Sequence, residues 1–220
     1  MKTRRACFSN TSFQLRAFSL IELLTVIAVL SVLATALLPS LQGVMDGIQI
    51  NGAASLVESE ILLARQTAMT RNVPVEVRIY KNSDGDEDEQ HWQTLAVVVP
   101  AMSSNEADAW ISKPTKLPGN VIFDDGGNFS TILANARPLS SDFTFPSSSH
   151  ESSTAPASVR EKDYVAFRFA PNGSTYLNTS QSWLLTLKNL KSPPEGDRPS
   201  ANFVSLVLDS LTGRVMTFQP

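Results

Sequence analysis

The chain has 220 residues, 42% of them apolar, enough for one domain with appendages and an ordinary buried core. A single cysteine, Cys7, excludes an intramolecular disulfide and a Cys-rich metal site, and two histidines far apart in sequence, His91 and His150, leave little material for a His-based centre. The formal net charge of −3 is unevenly spread: residues 1–17 carry Lys2, Arg4, Arg5 and Arg16 and no acid, whereas residues 18–220 carry 14 basic and 21 acidic side chains, so a basic stub sits on an acidic body, which disfavours general nucleic-acid binding.

The first element predicted is a membrane-spanning helix. From Phe18 to Leu38 there are 21 residues, and the single charged one is Glu22. At 1.5 Å per residue, about 20 helical residues cross a bilayer core of roughly 30 Å. All four upstream charges are positive, which predicts a cytoplasmic N-terminus and a translocated body. Glu22 is costly in such a span, by roughly 2.5–3.5 kcal/mol near the bilayer centre and less near an interface. Its place four residues after Phe18 puts it close to the cytoplasmic interface. One reading is a tolerated interfacial charge; the other is a carboxylate that meets a cation supplied by processing or assembly.

The run Arg16-Ala-Phe-Ser-Leu-Ile-Glu22-Leu-Leu-Thr-Val-Ile-Ala-Val-Leu resembles the N-terminal signature of type IV prepilins and type II secretion pseudopilins. The resemblance implies that a prepilin peptidase cuts between Ala17 and Phe18 and methylates the new amino terminus of Phe18. It also implies that Glu22 neutralises the α-amino group of Phe18 on a neighbouring subunit, and that Pro39 kinks the helix. The family usually places Gly before the cut; Ala17 is the next smallest residue, so slower cleavage is expected. A 17-residue leader is long for the family. The competing reading is an ordinary secretory signal with a small-x-small site at Ala34-Thr35-Ala36, releasing a soluble protein near Leu37. Glu22 inside the apolar run speaks against it.

Beyond Pro39, Gly43, Gly47 and Gly52 each cost a helix up to about 1 kcal/mol relative to Ala, which predicts a soft stretch. Gly43 and Gly47 have the spacing of close helix contacts but lie past the apolar run. From Ala53 the pattern firms: Ala53, Val57, Ile61, Ala64 and Ala68 recur at helical steps and predict an amphipathic helix to about Arg71 that packs on a sheet. Asn72-Val73-Pro74 ends it. Val75–Tyr80 alternates apolar and polar residues and predicts a half-buried strand; Asn82–Gln90 is an acidic turn, followed by a strand at Trp92–Val99. The stretch Ala64–Val77 (ARQTAMTRNVPVEV) resembles the minor pseudopilin H family, as do Phe167–Gly173 and Gly213–Phe218. The stretch Arg71–Asp86 also resembles the pilin-like family called Verru_Chthon cassette protein D.

Further strands are expected at Val121–Asp124, Phe143–Phe145, Tyr164–Phe169, Trp183–Leu187, Phe203–Leu208 and Arg214–Phe218. Turns are expected at Pro171-Asn172-Gly173 and Asp209–Gly213. Residues 140–158 contain ten Ser or Thr in nineteen, with Pro146 and Pro156, and read as a long surface loop.

Candidate chemistry is sparse. Asp84, Asp86 and Asp88 could chelate a hard cation, but counting from Asp84 the sixth and twelfth positions of an EF-hand loop hold Glu89 and Leu95 instead of Gly and Glu. Asp124-Asp125-Gly126-Gly127 reads first as a turn. No Gly-x-Ser-x-Gly elbow and no phosphate-cradling loop occurs. Trp92, Trp110 and Trp183 read as core or sheet-surface aromatics. Asn172 and Asn178 stand in Asn-x-Ser/Thr sites to which no role is given.

The expectation is therefore an α+β protein: a leader (1–17), a transmembrane and assembly helix (18–38), its amphipathic continuation (39–71), and a β-rich, mainly antiparallel pilin-like head (72–220). No enzymatic activity, cofactor or nucleic-acid partner is expected. The resemblance implies a minor pilin or pseudopilin, with prepilin peptidase, other pilin-like subunits and the inner membrane as partners and the head periplasmic. A DNA-uptake minor pilin is the other binding-module reading, and it needs a basic tip that the acidic body does not supply.

Overall fold

In a computed structural model the described residues are 19–83, 90–102, 106–139, 144–191 and 202–219, with the side chains of 36–42 and 83 also outside the description. The chain divides into two compact units, Met1–Gly43 and Val44–Pro220. Helix α1, Leu20–Arg71, contributes to both.

In the first unit the described side chains from Ser19 to Thr35 are exposed, among them Leu20, Ile21, Leu24, Ile27, Leu30 and Val32. Glu22 lies in the first turn of α1, and its N–H donates to the Ser19 carbonyl. Pro39 falls inside α1. Among the described residues no helix is long and apolar enough to cross a membrane. The expected span, Phe18–Leu38, extends at both ends past the side chains described. Ala17 and Phe18 lie outside the described residues, as do Asp84, Asp86, Asp88 and Phe143.

The second unit is a β-rich head against one face of α1. The helical steps anticipated from the sequence are the buried ones: Ala53, Val57, Ile61, Ala64 and Ala68 are all nearly inaccessible. Alanine at the contact points lets helix and sheet approach closely. The helix ends at Arg71, a basic residue in the last turn, where it complements the helix dipole. Asn72 follows with φ 55°, a left-handed residue of the kind that closes helices, and Pro74 prevents continuation.

The strands are β1 (Val75–Ser83), β2 (Gln90–Val99), β3 (Ala109–Trp110), β4 (Thr115–Lys116), β5 (Val121–Phe123), then helix α2 (Thr131–Ala134), β6 (Arg137–Pro138), β7 (Ser147–His150), β8 (Asp163–Phe169), β9 (Trp183–Asn189), β10 (Phe203–Leu208) and β11 (Val215–Phe218). They form a seven-stranded sheet in the order β3-β2-β1-β8-β7-β6, with β4 also on β2, and a four-stranded sheet in the order β11-β10-β9-β5. Every pairing is antiparallel except β6 with β7. The main core joins α1 to the inner faces of both sheets, with Phe123, Phe167, Phe169, Leu185, Leu187 and Leu206 among its largest members.

The structure departs from the sequence reading in several places, beginning with the short elements β3, β4, α2 and β6, which that reading does not place. Within the stretch 140–158, read as a loop, Ser147–His150 form β7 and register with Asp163–Ala166 of β8, since serines can ladder where a neighbouring strand supplies the pairing. Phe145 makes an isolated bridge to Leu177 and lies in no strand. The strand predicted as half-buried at 75–80 is buried on both faces: Glu76 and Arg78 are each 3% exposed. A second apolar cluster of Tyr80, Ala96, Val98, Ala155, Val159, Tyr164 and Ala166, with Trp110 against it, covers the outer face of the large sheet.

Candidate functional site

Two features of the chain call for a function: the exposed apolar helix of the first unit and a buried ion cluster in the head. The helix is apolar on every side, where a surface helix of a water-soluble domain keeps a polar face. Its hydroxyls do not alter this, because they are turned onto the helix's own carbonyls: Thr25 Oγ1 donates to Glu22 O, Ser31 Oγ to Ile27 O and Thr35 Oγ1 to Val32 O, at 2.8–2.9 Å. Back-bonded in this way, Ser and Thr cost an apolar environment little. That leaves Glu22 as the one charged side chain between Ser19 and Leu38.

In the head, the polar positions of β1 converge on Arg78. Its guanidinium donates to Glu76 Oε2 at 2.9 Å, to Glu151 Oε2 at 2.9 Å and to Asp108 Oδ2 at 2.7 Å. Glu76 is held from its other oxygen by Arg168 at 2.5 Å. Glu151 Oε2 also accepts the Tyr80 hydroxyl at 2.8 Å, and the Arg78 guanidinium lies 4.8 Å from the centre of the Tyr164 ring. Three carboxylates and two guanidinium groups thus join β1, β8, the segment before β3 and the segment after β7. Sequence reading missed the cluster because Glu76 and Arg78 look like the solvent side of an alternating strand. The signal lay in Tyr80 and Tyr164, aromatic residues on that same face.

Burial works against the charge on Arg78, yet Glu76 and Asp108, together with the neighbouring tyrosines, outweigh it and its pKa is raised overall. Burial raises the pKa of Tyr80, which Arg78 opposes and Glu151 reinforces. Burial raises Tyr164 likewise. Both phenols therefore keep their protons in the folded head beyond their ordinary range, near 10. Above that range the unfolded chain releases protons that the folded chain holds, so the contribution of these two phenols to head stability is full below about pH 10 and is lost as the pH rises further. Thermal unfolding followed between pH 8 and pH 11 checks this: the melting temperature of Tyr80→Phe should fall less steeply with alkali than that of the unmodified chain.

A cavity of about 450 Å³ borders the cluster, lined by Glu106, Asp108, Trp110, Glu151, Ser152 and Ala155. Its two buried-side carboxylates are already committed, Asp108 to Arg78 and the Ala101 N–H, and Glu151 to Arg78, Tyr80 and the Ser152 N–H. The arrangement holds loops onto a sheet. Among the described residues no group of His, Cys, Asp or Glu could hold a metal ion. Asp124 is buried and paired with Lys188 at 2.6 Å, and it accepts the Gly126 N–H, as expected of a turn. His150 meets Asp163 at 3.0 Å on the surface. Trp183 is core; Trp92 and Trp110 are partly buried against it or against the outer cluster.

No family model and no curated protein matches the chain. Among solved structures, the type IV minor pilin FimU of Pseudomonas aeruginosa is similar in two crystal forms. One has a TM-score of 0.42 and 12% identity, covering 78% of this chain and 92% of that one. The other has a TM-score of 0.39 and 11% identity, covering 77% of this chain and 96% of that one.

Proposed function

We propose that this chain is a prepilin-like subunit, a minor pilin or pseudopilin, whose role is structural. In this reading prepilin peptidase cuts between Ala17 and Phe18 and methylates Phe18. The helix from Phe18 to Leu38 lies in the inner membrane before assembly and against other subunits afterwards. The head is periplasmic, and the filament is a type II secretion pseudopilus or a type IV pilus-like fibre. The observation that carries the proposal is the order of the first 38 residues: basic stub, Ala17-Phe18, a lone Glu22, then an uncharged, mostly apolar run. The exposure of Leu20, Ile21 and Val32 at 80, 71 and 69% supports it, since no described residue of the first unit covers these side chains. A bilayer or neighbouring helices would.

Intact mass spectrometry of the membrane fraction tests the processing: the expected species begins with N-methyl-Phe18. A species beginning near Leu37 would instead mark an ordinary secreted protein and end this reading. Glu22→Ala separates processing from assembly. The cut should persist, because the substitution removes a charge that opposes insertion, while incorporation into filaments should be lost with the partner of the neighbouring α-amino group. Normal incorporation of the variant would refute the role given to Glu22.

A further inference from the structure

The head holds α1 unevenly. From Ala53 to Ala68 the contact is a continuous apolar seam: Ala53, Ala54, Val57, Ile61, Ala64 and Ala68 are each no more than 4% exposed. From Val44 to Gly52 the buried apolar side chain is Ile50 alone, while Val44, Met45 and Ile48 are 55–60% exposed. The remaining hold on these residues is polar and point-like. Asn189 donates to Asp46 Oδ1 at 2.9 Å, Gln219 donates to Asn51 Oδ1 at 2.7 Å, and the Gln49 amide lies against Gly119. Beside this stretch is a void of about 150 Å³, lined by Gly47, Ile50, Asn51, Phe203, Val204 and Gln219.

Two glycines fall in the same stretch. A methyl group placed on Gly47 or on Gly52 would meet no atom within 4 Å beyond its chain neighbours and the adjoining backbone of its own helix. Neither is therefore glycine because the head presses on it. Contrast Gly119, where a methyl group would collide with Gln49. Glycine with no packing reason leaves only its effect on the helix, which is to weaken it.

We propose that residues 44–52 are a releasable segment of α1: about two and a half turns that detach from the head and lose helical order while the seam from Ala53 onward stays closed. Released, they lengthen the chain free of the head by nine residues, about 13 Å if they re-form as helix. The inference concerns the fold of the chain and stands whether or not the filament reading holds.

Amide hydrogen exchange on the full chain in detergent micelles, read by peptide mass spectrometry, tests it. Amides of 44–52 are expected to exchange at least about tenfold faster than those of 54–68, in keeping with local opening far below the cost of global unfolding. Gly47→Ala combined with Gly52→Ala should slow 44–52 by roughly tenfold and leave 54–68 unchanged. Asn189→Ala should speed exchange in 44–52 alone. Equal protection of the two segments in the unmodified chain overturns the proposal. So does a double alanine variant whose exchange in 44–52 is unaltered, and so does an Asn189→Ala variant whose whole head opens.

Discussion

Arg78→Ala is expected to destabilise the head by about 3–5 kcal/mol, the range found when one partner of a buried ion pair is removed. The reason is the carboxylates left behind. Arg78 touches Glu76, Asp108 and Glu151, and its own side chain is 4% exposed, so its loss strands two carboxylates with side-chain exposures of 4 and 5%. Glu76 retains Arg168, and Glu151 retains the Tyr80 hydroxyl, which tempers the loss without removing it. Arg78→Lys should fare little better, because an ammonium on a flexible stem cannot reproduce a planar fork that meets three carboxylates at once. Urea unfolding of the head measures this, and high salt should leave the difference nearly unchanged because buried pairs are screened little. A loss below about 1 kcal/mol would mean that water enters through the neighbouring cavity and solvates the carboxylates, the behaviour of surface pairs. Arg78→Met combined with Glu151→Gln sharpens the test: if stranded charge is the cause, the double variant recovers part of what Arg78→Met loses.

Much of the head was legible because its signals are periodic. The α1 seam reads directly from Ala53, Val57, Ile61, Ala64 and Ala68, and the strand at Phe203–Leu208 was placed with its ends correct. Punctuation was legible too, since Asn72-Val73-Pro74 stops a helix by backbone sterics alone. What the sequence hid were properties set by partners distant in the chain. Ser147–His150 has no strand propensity to speak of and becomes β7 because β8 offers an edge. Glu76 and Arg78 look solvent-facing until two loops, from around Asp108 and Glu151, close over that face of the sheet. The candidate site at Ala17, Phe18 and Glu22 is of the opposite kind. It was read from a local motif, and of its three residues Glu22 alone is among those described, exposed on the first turn of α1.

Gly213→Ala is the second large effect expected, about 2–4 kcal/mol of head stability, from a left-handed backbone and an obstructed site together. Gly213 closes the turn between β10 and β11 with φ 64°, where its N–H donates to the Asp209 carbonyl at 2.8 Å. The turn is further fixed by the Asp209 carboxylate, whose pKa is lowered by the Thr212 hydroxyl and the Leu211 N–H it accepts. A β-carbon at 213 would collide with the carbonyl oxygen of Gly173 and stand 2.9 Å from the Phe169 ring. Neither can yield cheaply. Gly173 is itself left-handed, at φ 83°, in the turn after β8, and its carbonyl accepts the Arg65 Nε of α1 at 3.2 Å. Phe169 is fully buried. Two turns and the helix thus meet at one point, and a single methyl group must move at least one of them. Arg65→Gln is the companion variant. It weakens the bond to Gly173 without filling space, so it should cost about 1 kcal/mol, the worth of one hydrogen bond. Thermal melts of both variants separate the causes. If Gly213→Ala costs no more than Arg65→Gln, the turn tolerates the added carbon and the three-way contact is not what fixes β11 to the helix.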